Sequence, residues 1–176
     1  FHTKGTDNVC ISGSGTKYGS LLLQNVVSVS GSISTQNMNV TLLNVGGVKS
    51  TGSGAAIMFG ATDAKGSYTL RVDGATIVEG TKSLHIQNSM AELKGVTLKG
   101  NSLIEESVVD IDNSYVEDTM TATDSTLSGT RTSFDTLLPT DSHVTTSNCS
   151  IVTLTPSGSS VVTHHSLVSG DISGSN

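Results

Sequence analysis

The sequence is poor in large side chains, with no tryptophan, three phenylalanines, three tyrosines and two prolines in 176 residues. The aromatic residues that dominate the core of a wide globular domain are therefore scarce. Apolar residues make up 35% of the chain, below the usual share for such a domain. Val, Leu and Ile nevertheless recur steadily, which argues against a disordered chain. Because Ser, Thr and Gly together account for 71 residues, the composition predicts a thin fold with a slim aliphatic interior.

Cysteine and targeting signals are also sparse. Cys10 and Cys149 lie far apart, so the sequence predicts neither a disulfide framework nor a metal site, but two small buried or half-buried thiols. The chain begins at Phe1 without a signal segment, and no apolar run approaches the roughly 20 residues that span a bilayer. We expect a fragment of a longer protein that does not insert into membranes.

Charge is divided unevenly between the two halves of the chain. Residues 1–99 hold eight Lys/Arg and five Asp/Glu, a net of +3, whereas residues 100–176 hold only Arg131 against ten acids, a net of −9. Nucleic-acid binding requires clustered cations, which this distribution does not supply. We expect no nucleic-acid partner, and we expect any anionic ligand to prefer the first half.

A repeat of seventeen residues governs the carboxy-terminal third. Residues 124–140 align with residues 141–157, and a less regular third copy occupies residues 158–174. The alignment predicts three apolar columns: Leu127/Val144/Val161, Phe134/Ile151/Val168 and Leu137/Leu154, with Asp171 in the third place of the last column. Seventeen residues rich in Ser, Thr and Val are too few for a pair of helices but suffice for three short strands joined by turns. Each copy would then be one rung of a solenoid, hydrogen-bonded to the next at about 4.8 Å.

The predicted fold is therefore all-β, a parallel β-helix with about 17 residues per rung in the carboxy-terminal half. We expect a single β-helical domain over residues 1–176, with residues 124–174 as its most regular part. Left-handed β-helices follow a hexapeptide period that seventeen does not fit, so a right-handed helix is favoured.

The rest of the chain shows the same alternation of short apolar runs and turn residues. Strands are predicted at 21–23, 40–42, 69–72, 84–86 and 109–111. Turns are predicted in the segments that begin at Gln24, Leu43, Val72, Gln87 and Asp112, where Asn, Asp or Gly tolerates a left-handed backbone. Residues 52–67 break this rhythm and are predicted to form a projecting loop, with a short helix as an alternative.

The stretch "KGTDNVCISGSG" (residues 4–15) resembles a rung of the right-handed parallel β-helix of bacteriophage tailspikes and tail fibres and of the related polysaccharide lyases, and "IDNSYVEDT" is similar. The likeness covers most of the chain, as a rhythm of rungs. It implies a homotrimer, a location in the virion tail and recognition of a bacterial surface polysaccharide.

The candidate catalytic residues are carboxylates in the segment from Glu105 to Asp118. If Val109 and Ile111 point inward, Asp110 and Asp112 share the outward face, with Cα atoms about 6.6–6.8 Å apart. Inverting glycosidases need carboxyl groups roughly 6.5–9.5 Å apart, so this pair is admissible, with Glu105 and Glu106 as further candidates. No Lys or Arg lies within the stretch, and ordinary strand alternation gives the same spacing, so a solvated acidic face is the favoured interpretation, ahead of a divalent-cation site.

The histidines predict no metal site or cofactor. His164 and His165 are adjacent, so on a strand they would face opposite ways, with His164 above Ser147 and His165 above Asn148. A metal on a trimer axis is the alternative to a plain polar turn. His85, between Leu84 and Ile86, is expected on the outer face.

Three functions fit the sequence. The first is a viral tailspike or tail-fibre segment that extends the spike and recognises host polysaccharide without cleaving it. The second is a fragment of a glycan-degrading tailspike, a hydrolase or lyase, against which the absence of tryptophan platforms argues. The third is a β-helical bacterial adhesin passenger, located outside the cell or on its surface, or an ice-binding solenoid. Ice binding is disfavoured because only the "TLT" of residues 153–155 carries the Thr-x-Thr pair that such a face repeats.

Overall fold

The protein is a parallel β-solenoid of about eight turns, in a computed structural model that describes residues 9–62 and 68–175. Every strand pairing between turns is parallel, and the described residues contain no helix. The predicted all-β parallel β-helix is therefore confirmed. Its right-handed sense stays a prediction. The fifteen strands are β1 (Val9–Gln24), β2 (Val29–Ser30), β3 (Ser32–Leu43), β4 (Gly47–Lys49), β5 (Ala55–Gly60), β6 (Thr69–Gln87), β7 (Met90–Glu105), β8 (Val108–Asp112), β9 (Tyr115–Thr123), β10 (Thr126–Thr130), β11 (Ser133–Thr140), β12 (His143–Ser147), β13 (Ser150–Leu154), β14 (Ser160–His164) and β15 (Leu167–Val168).

Each turn contributes segments to three stacks of parallel strands. We call them the acidic side, the ladder side, after its column of alternating charges, and the cleft side, after the cleft described below. The acidic side contains β8, β10, β12 and β14, and Asp110 and Asp112 project from it. The ladder side contains β4 and the first parts of β9, β11 and β13. The cleft side contains β5 and the last parts of β6, β7, β9 and β11. Long strands such as β1, β6 and β7 bend from one stack into another.

The predicted apolar columns are present in the interior. Leu127 pairs with Val144 and Val144 with Val161. The Phe134/Ile151/Val168 column and the Leu137/Leu154 pair are likewise in register. The next residue above Leu154 is Ile172 rather than Asp171, so the period lengthens from seventeen to eighteen at that rung. Ile172 is apolar but 67% exposed, so the interior part of this column ends at Leu154.

The interior is filled by Val, Leu and Ile, with Phe59 and Phe134 as its largest fully buried side chains. Cys149 is buried with a free thiol, as expected, and Cys10 lies in β1 with its side chain outside the described atoms. The stretch of residues 4–15 that resembles a tailspike rung lies partly outside the described residues.

Two corners of the solenoid are lined by residues with positive φ, one per turn. The corner between the acidic and ladder sides carries eight such residues: Asn25, Asn44, Gly74, Gly95, Asn113, Arg131, Asn148 and His165. The corner between the cleft and acidic sides carries Asn37, Asn88, Glu106, Asp124, Asp141 and Gly158. Asn, Asp and Gly occupy the left-handed region at the lowest cost, so these corners explain the turn residues that the sequence repeats. All five predicted turn segments contain one of them.

A row of hydrogen-bonded serine hydroxyls runs inside the solenoid along the corner between the cleft and acidic sides. The backbone N–H of Ser107 donates to Ser125 Oγ at 3.1 Å, and that of Ser125 donates to Ser142 Oγ at 3.0 Å. Each hydroxyl in turn donates to the carbonyl two residues before it, at 2.6 Å for Ser107 and Ser125. The same arrangement joins Ser89 to Ser107 and Ser142 to Ser159. This row of serines satisfies backbone groups that the turns would otherwise leave buried without a partner.

The prediction of a projecting loop over residues 52–67 is wrong for residues 55–60. These form β5, which pairs with β3 on one side and β6 on the other. Ala55, Ala56, Ile57 and Phe59 are buried. The apolar run "AAIMF" inserts into the interior because it fills one rung, and its small residues obscure the alternation that identifies a strand. Residues 63–67 lie outside the described residues.

Candidate functional site

The four candidate carboxylates are distributed over three different parts of the surface. Asp110 and Asp112 project from β8 on the acidic side. Glu105 ends β7 on the cleft side, and Glu106 is a corner residue with positive φ. The structure therefore keeps the two glutamates away from the aspartate pair, and no constellation of four acids exists.

Asp112 is engaged by Arg131 in a bidentate ion pair. Arg131 Nη2 lies 2.7 Å from Asp112 Oδ1 and 2.6 Å from Oδ2, and Arg131 Nε lies 3.1 Å from Oδ1. Lys94 is the register neighbour of Asp112 on the other side. The expectation that no cation lines this acidic segment is thus wrong, because cations arrive from the adjacent rungs. Both Asp112 oxygens accept guanidinium hydrogen bonds, so neither is free for a substrate in this arrangement.

The histidines lie where the sequence placed them in register. His164 pairs with Ser147 at the end of β14, while His165 is a corner residue with positive φ rather than a strand residue. Both side chains are exposed. Within residues 9–62 and 68–175, no group of three or more His, Cys, Asp or Glu could hold a metal ion.

The ladder side carries an alternation of charge along the solenoid axis. Lys49, Glu79, Lys99 and Glu117 are successive register neighbours. Lys49 Nζ donates to Glu79 Oε1 at 2.7 Å, and this hydrogen bond holds the pKa of the Glu79 carboxyl below its usual value. The positive charges of Lys49 and Lys99 therefore lie beside the carboxylates of Glu79 and Glu117, so this column forms no cationic patch for a polyanion.

One aromatic side chain is presented on the ladder side. The Tyr115 hydroxyl lies 3.2 Å from both Asp135 oxygens and donates to that carboxylate. The pKa of the Tyr115 phenol is raised mainly by desolvation and next by this hydrogen bond. The side chain is 38% exposed.

A cleft of about 220 Å³ lies on the cleft side. It crosses four successive turns, contributed by β1, β3, β5 and β6. One outward column supplies Ser12, Ser34, Met58 and His85, and the next supplies Ser14, Gln36, Gly60 and Gln87. A concavity forms here because small serine and glycine side chains stand between the longer glutamine, methionine and histidine side chains.

Hydrogen-bonding groups line this cleft at its edge and beneath it. His85 Nε2 lies 2.7 Å from Glu105 Oε2, and their side chains are 25% and 36% exposed. Beneath the cleft, Thr35 is buried and its Oγ1 has no hydrogen-bond partner among the described residues. Such a hydroxyl is uncommon in folded proteins and calls for a water or ligand partner. The lining contains no Lys or Arg.

Sequence reasoning identified His85 as an outer-face residue but did not identify the cleft. Its lining comes from four segments whose mutual register depends on turns of unequal length. Between Val40 and Leu70, which are register neighbours, the chain makes one turn that contains all of β4 and β5, so no simple period connects the lining residues.

Comparison of the chain with protein families, with curated proteins and with solved structures finds no match. Among the described residues, no helical segment has the length and apolarity that crossing a bilayer demands. The fold is therefore established as a parallel β-solenoid, without a family assignment.

Proposed function

We propose that the chain is a segment of a viral tailspike or tail fibre, which extends the spike and recognises a host-surface polysaccharide without cleaving it. The observation that carries this proposal is the cleft, a groove whose lining contains no Asp, Glu, Lys or Arg and presents hydroxyl, amide and imidazole groups over four turns. Turns spaced by about 4.8 Å make it roughly 14 Å long. That length suits a few units of an extended sugar chain better than a compact cofactor.

The chemistry of the lining supports a neutral polyhydroxylated ligand. Serine hydroxyls and glutamine amides both donate and accept hydrogen bonds, as sugar hydroxyls do. Met58 lines the cleft, is 45% exposed and provides an adaptable apolar contact for the carbon face of a sugar ring. With no Lys or Arg in the lining, little would favour an anionic glycan over a neutral one.

The first prediction concerns binding. Gln87→Ala is expected to weaken binding of a neutral host-surface oligosaccharide by about fivefold, since one lost hydrogen bond costs about 1 kcal/mol and 1.4 kcal/mol corresponds to a tenfold change. Isothermal titration calorimetry of the 176-residue chain measures the change. Gln24→Ala is the matched control, because Gln24 is an exposed glutamine at the end of β1 and does not line the cleft. Equal weakening by both variants, or no binding by the unaltered chain, would contradict the proposed site.

The second prediction concerns catalysis. Incubation of the chain with host polysaccharide is expected to release no new reducing ends and no unsaturated uronates. The reason is that Asp112 is held by Arg131 through both oxygens, which leaves Asp110 without a free acid partner on the same strand. If cleavage occurs and Asp110→Asn abolishes it while the circular dichroism spectrum is unchanged, the glycan-degrading alternative replaces this proposal.

A further inference from the structure

The carboxy-terminal turns of the cleft side carry a grid of hydroxyl groups. β9, β11 and the segment that begins in β13 each place three outward residues on this side, in three columns. We call this grid the threonine array. It comprises Thr119/Thr136/Thr153, Thr121/Leu138/Thr155 and Thr123/Thr140/Ser157. The sequence suggested a single Thr-x-Thr pair, whereas the register brings eight hydroxyl-bearing residues together on three successive turns.

Six of the eight hydroxyls of the threonine array are available to an external partner. Thr119, Thr121 and Thr123 make no side-chain hydrogen bond within the described part of the chain, and neither do Thr136, Thr140 and Thr153. The inward serines of the same turns behave differently, since Ser125 and Ser142 each accept a backbone N–H and donate to a carbonyl. The two remaining hydroxyls of the array are engaged by the last turn, where Thr155 Oγ1 lies 3.5 Å from Ser173 Oγ and Ser157 Oγ accepts from Ser175 Oγ at 3.1 Å.

The array is regular in two directions and rigid. Neighbouring turns are about 4.8 Å apart, and alternate residues along one strand are about 6.6–6.8 Å apart. All nine positions are half-buried, none fully exposed, as expected of side chains packed side by side. Beneath them, Met120, Leu137 and Leu154 fill the interior. A β-branched side chain on a strand has restricted χ1 rotation, so little rotamer entropy would be lost on binding.

The composition of the array disfavours the usual macromolecular partners. It contains no charged residue, although it belongs to a half of the chain with a net charge of −9. It also lacks the Trp, Tyr and Arg anchors that dominate protein interfaces and has no aromatic platform for a sugar ring. What it offers is a flat grid of hydroxyls, each a donor and an acceptor, interspersed with threonine methyl groups.

We propose that the threonine array binds the ordered water of an ice surface. A crystal face of ice presents water molecules on a repeating two-dimensional lattice, and the two repeat distances of the array are comparable with the spacings between oxygens on a prism face of hexagonal ice. When several fixed hydroxyls coincide with water positions of the crystal plane at the same time, their hydrogen bonds add up and the protein binds that plane. Liquid water has no repeating positions that the hydroxyls could match. This inference concerns a different part of the surface from the cleft and does not depend on glycan binding.

The test measures thermal hysteresis, the gap between the melting and freezing temperatures of a single ice crystal, in solutions of the 176-residue chain. The unaltered chain is expected to show hysteresis and to facet the crystal. Thr121→Tyr places a ring that protrudes from the central column and is expected to remove most of the hysteresis. Thr145→Tyr is the matched control, because Thr145 is a half-buried outward threonine of β12 on the acidic side, and it is expected to keep full hysteresis.

Circular dichroism and the melting temperature establish that both variants fold, and light scattering gives their mass. Absence of hysteresis in the unaltered chain would overturn the proposal, as would full hysteresis in Thr121→Tyr or equal loss in Thr145→Tyr with the fold retained. If Thr121→Tyr instead lowers the mass in solution and leaves hysteresis unchanged, the array is a contact between copies of this chain, and the ice-binding proposal is again overturned.

Discussion

Replacing Val144 by aspartate is expected to destabilise the solenoid by several kcal/mol, because an isolated carboxylate would be buried without a partner. Val144 is fully buried, with Leu127 below and Val161 above it in the same column. Its neighbours in the column are apolar, and the buried polar residues of the described interior are all serines and threonines, so no cation is available to the new charge. Stacked turns stabilise one another cooperatively, so the defect is expected to loosen the turns on both sides.

Urea denaturation followed by circular dichroism measures this change. Val152→Asp is the matched control, since Val152 is 46% exposed on the neighbouring strand β13 and surface substitutions usually change stability by less than about 0.5 kcal/mol. A Val144→Asp variant that unfolds at the same urea concentration as the unaltered chain would show that the column is not an interior column.

The repeat of the last third was predictable because its turns have nearly equal lengths. Leu127, Val144 and Val161 are spaced by seventeen residues and occupy equivalent places in the register. In the first half the equivalent residues are Leu21, Val40, Leu70 and Ala91, whose spacings are unequal. The extra residues enter at corners, where polar segments of any length are tolerated, so the interior columns persist while the sequence period is lost.

The candidate acids show which part of a site can be inferred from alternation alone. Alternation placed Asp110 and Asp112 on one outward face of β8, which the structure confirms. It did not reveal Arg131, because the contact joins residues nineteen positions apart on adjacent turns. A turn length of seventeen or eighteen residues was the signal that could have placed Arg131 beside Asp112.

The threonine array was missed for a related reason. "TMTAT" at residues 119–123 contains three outward threonines, and Thr136 and Thr140 follow seventeen residues after Thr119 and Thr123. The alignment of residues 124–140 with residues 141–157 began one turn too late to include Thr119, Thr121 and Thr123. The homotrimer, the virion location and the polysaccharide ligand implied by the tailspike likeness stay predictions, because they depend on partners outside this chain.

Gly100→Ala is expected to destabilise the protein by about 3 kcal/mol or more, a value at the upper end of what a strained backbone costs. Gly100 has a φ of +111°, a conformation that residues with a side chain rarely adopt. A Cβ at this position would also collide with the carbonyl oxygen of Gly80 on the preceding turn. That oxygen belongs to the backbone and cannot rotate away, so relief would require β6 and β7 to separate at this corner.

Gly54→Ala provides the matched control for this substitution, because a Cβ at Gly54 meets no atom within 4 Å and its φ is not in the left-handed region. The control is expected to unfold within about 0.5 kcal/mol of the unaltered chain. Both variants are compared by urea denaturation at one temperature. Equal stability of Gly100→Ala and Gly54→Ala would mean that the two glycine turns at residues 80 and 100 are not stacked as closely as the structure places them. A selective loss at Gly100 would show that close backbone approach at this corner, in addition to the apolar columns, holds successive turns in register.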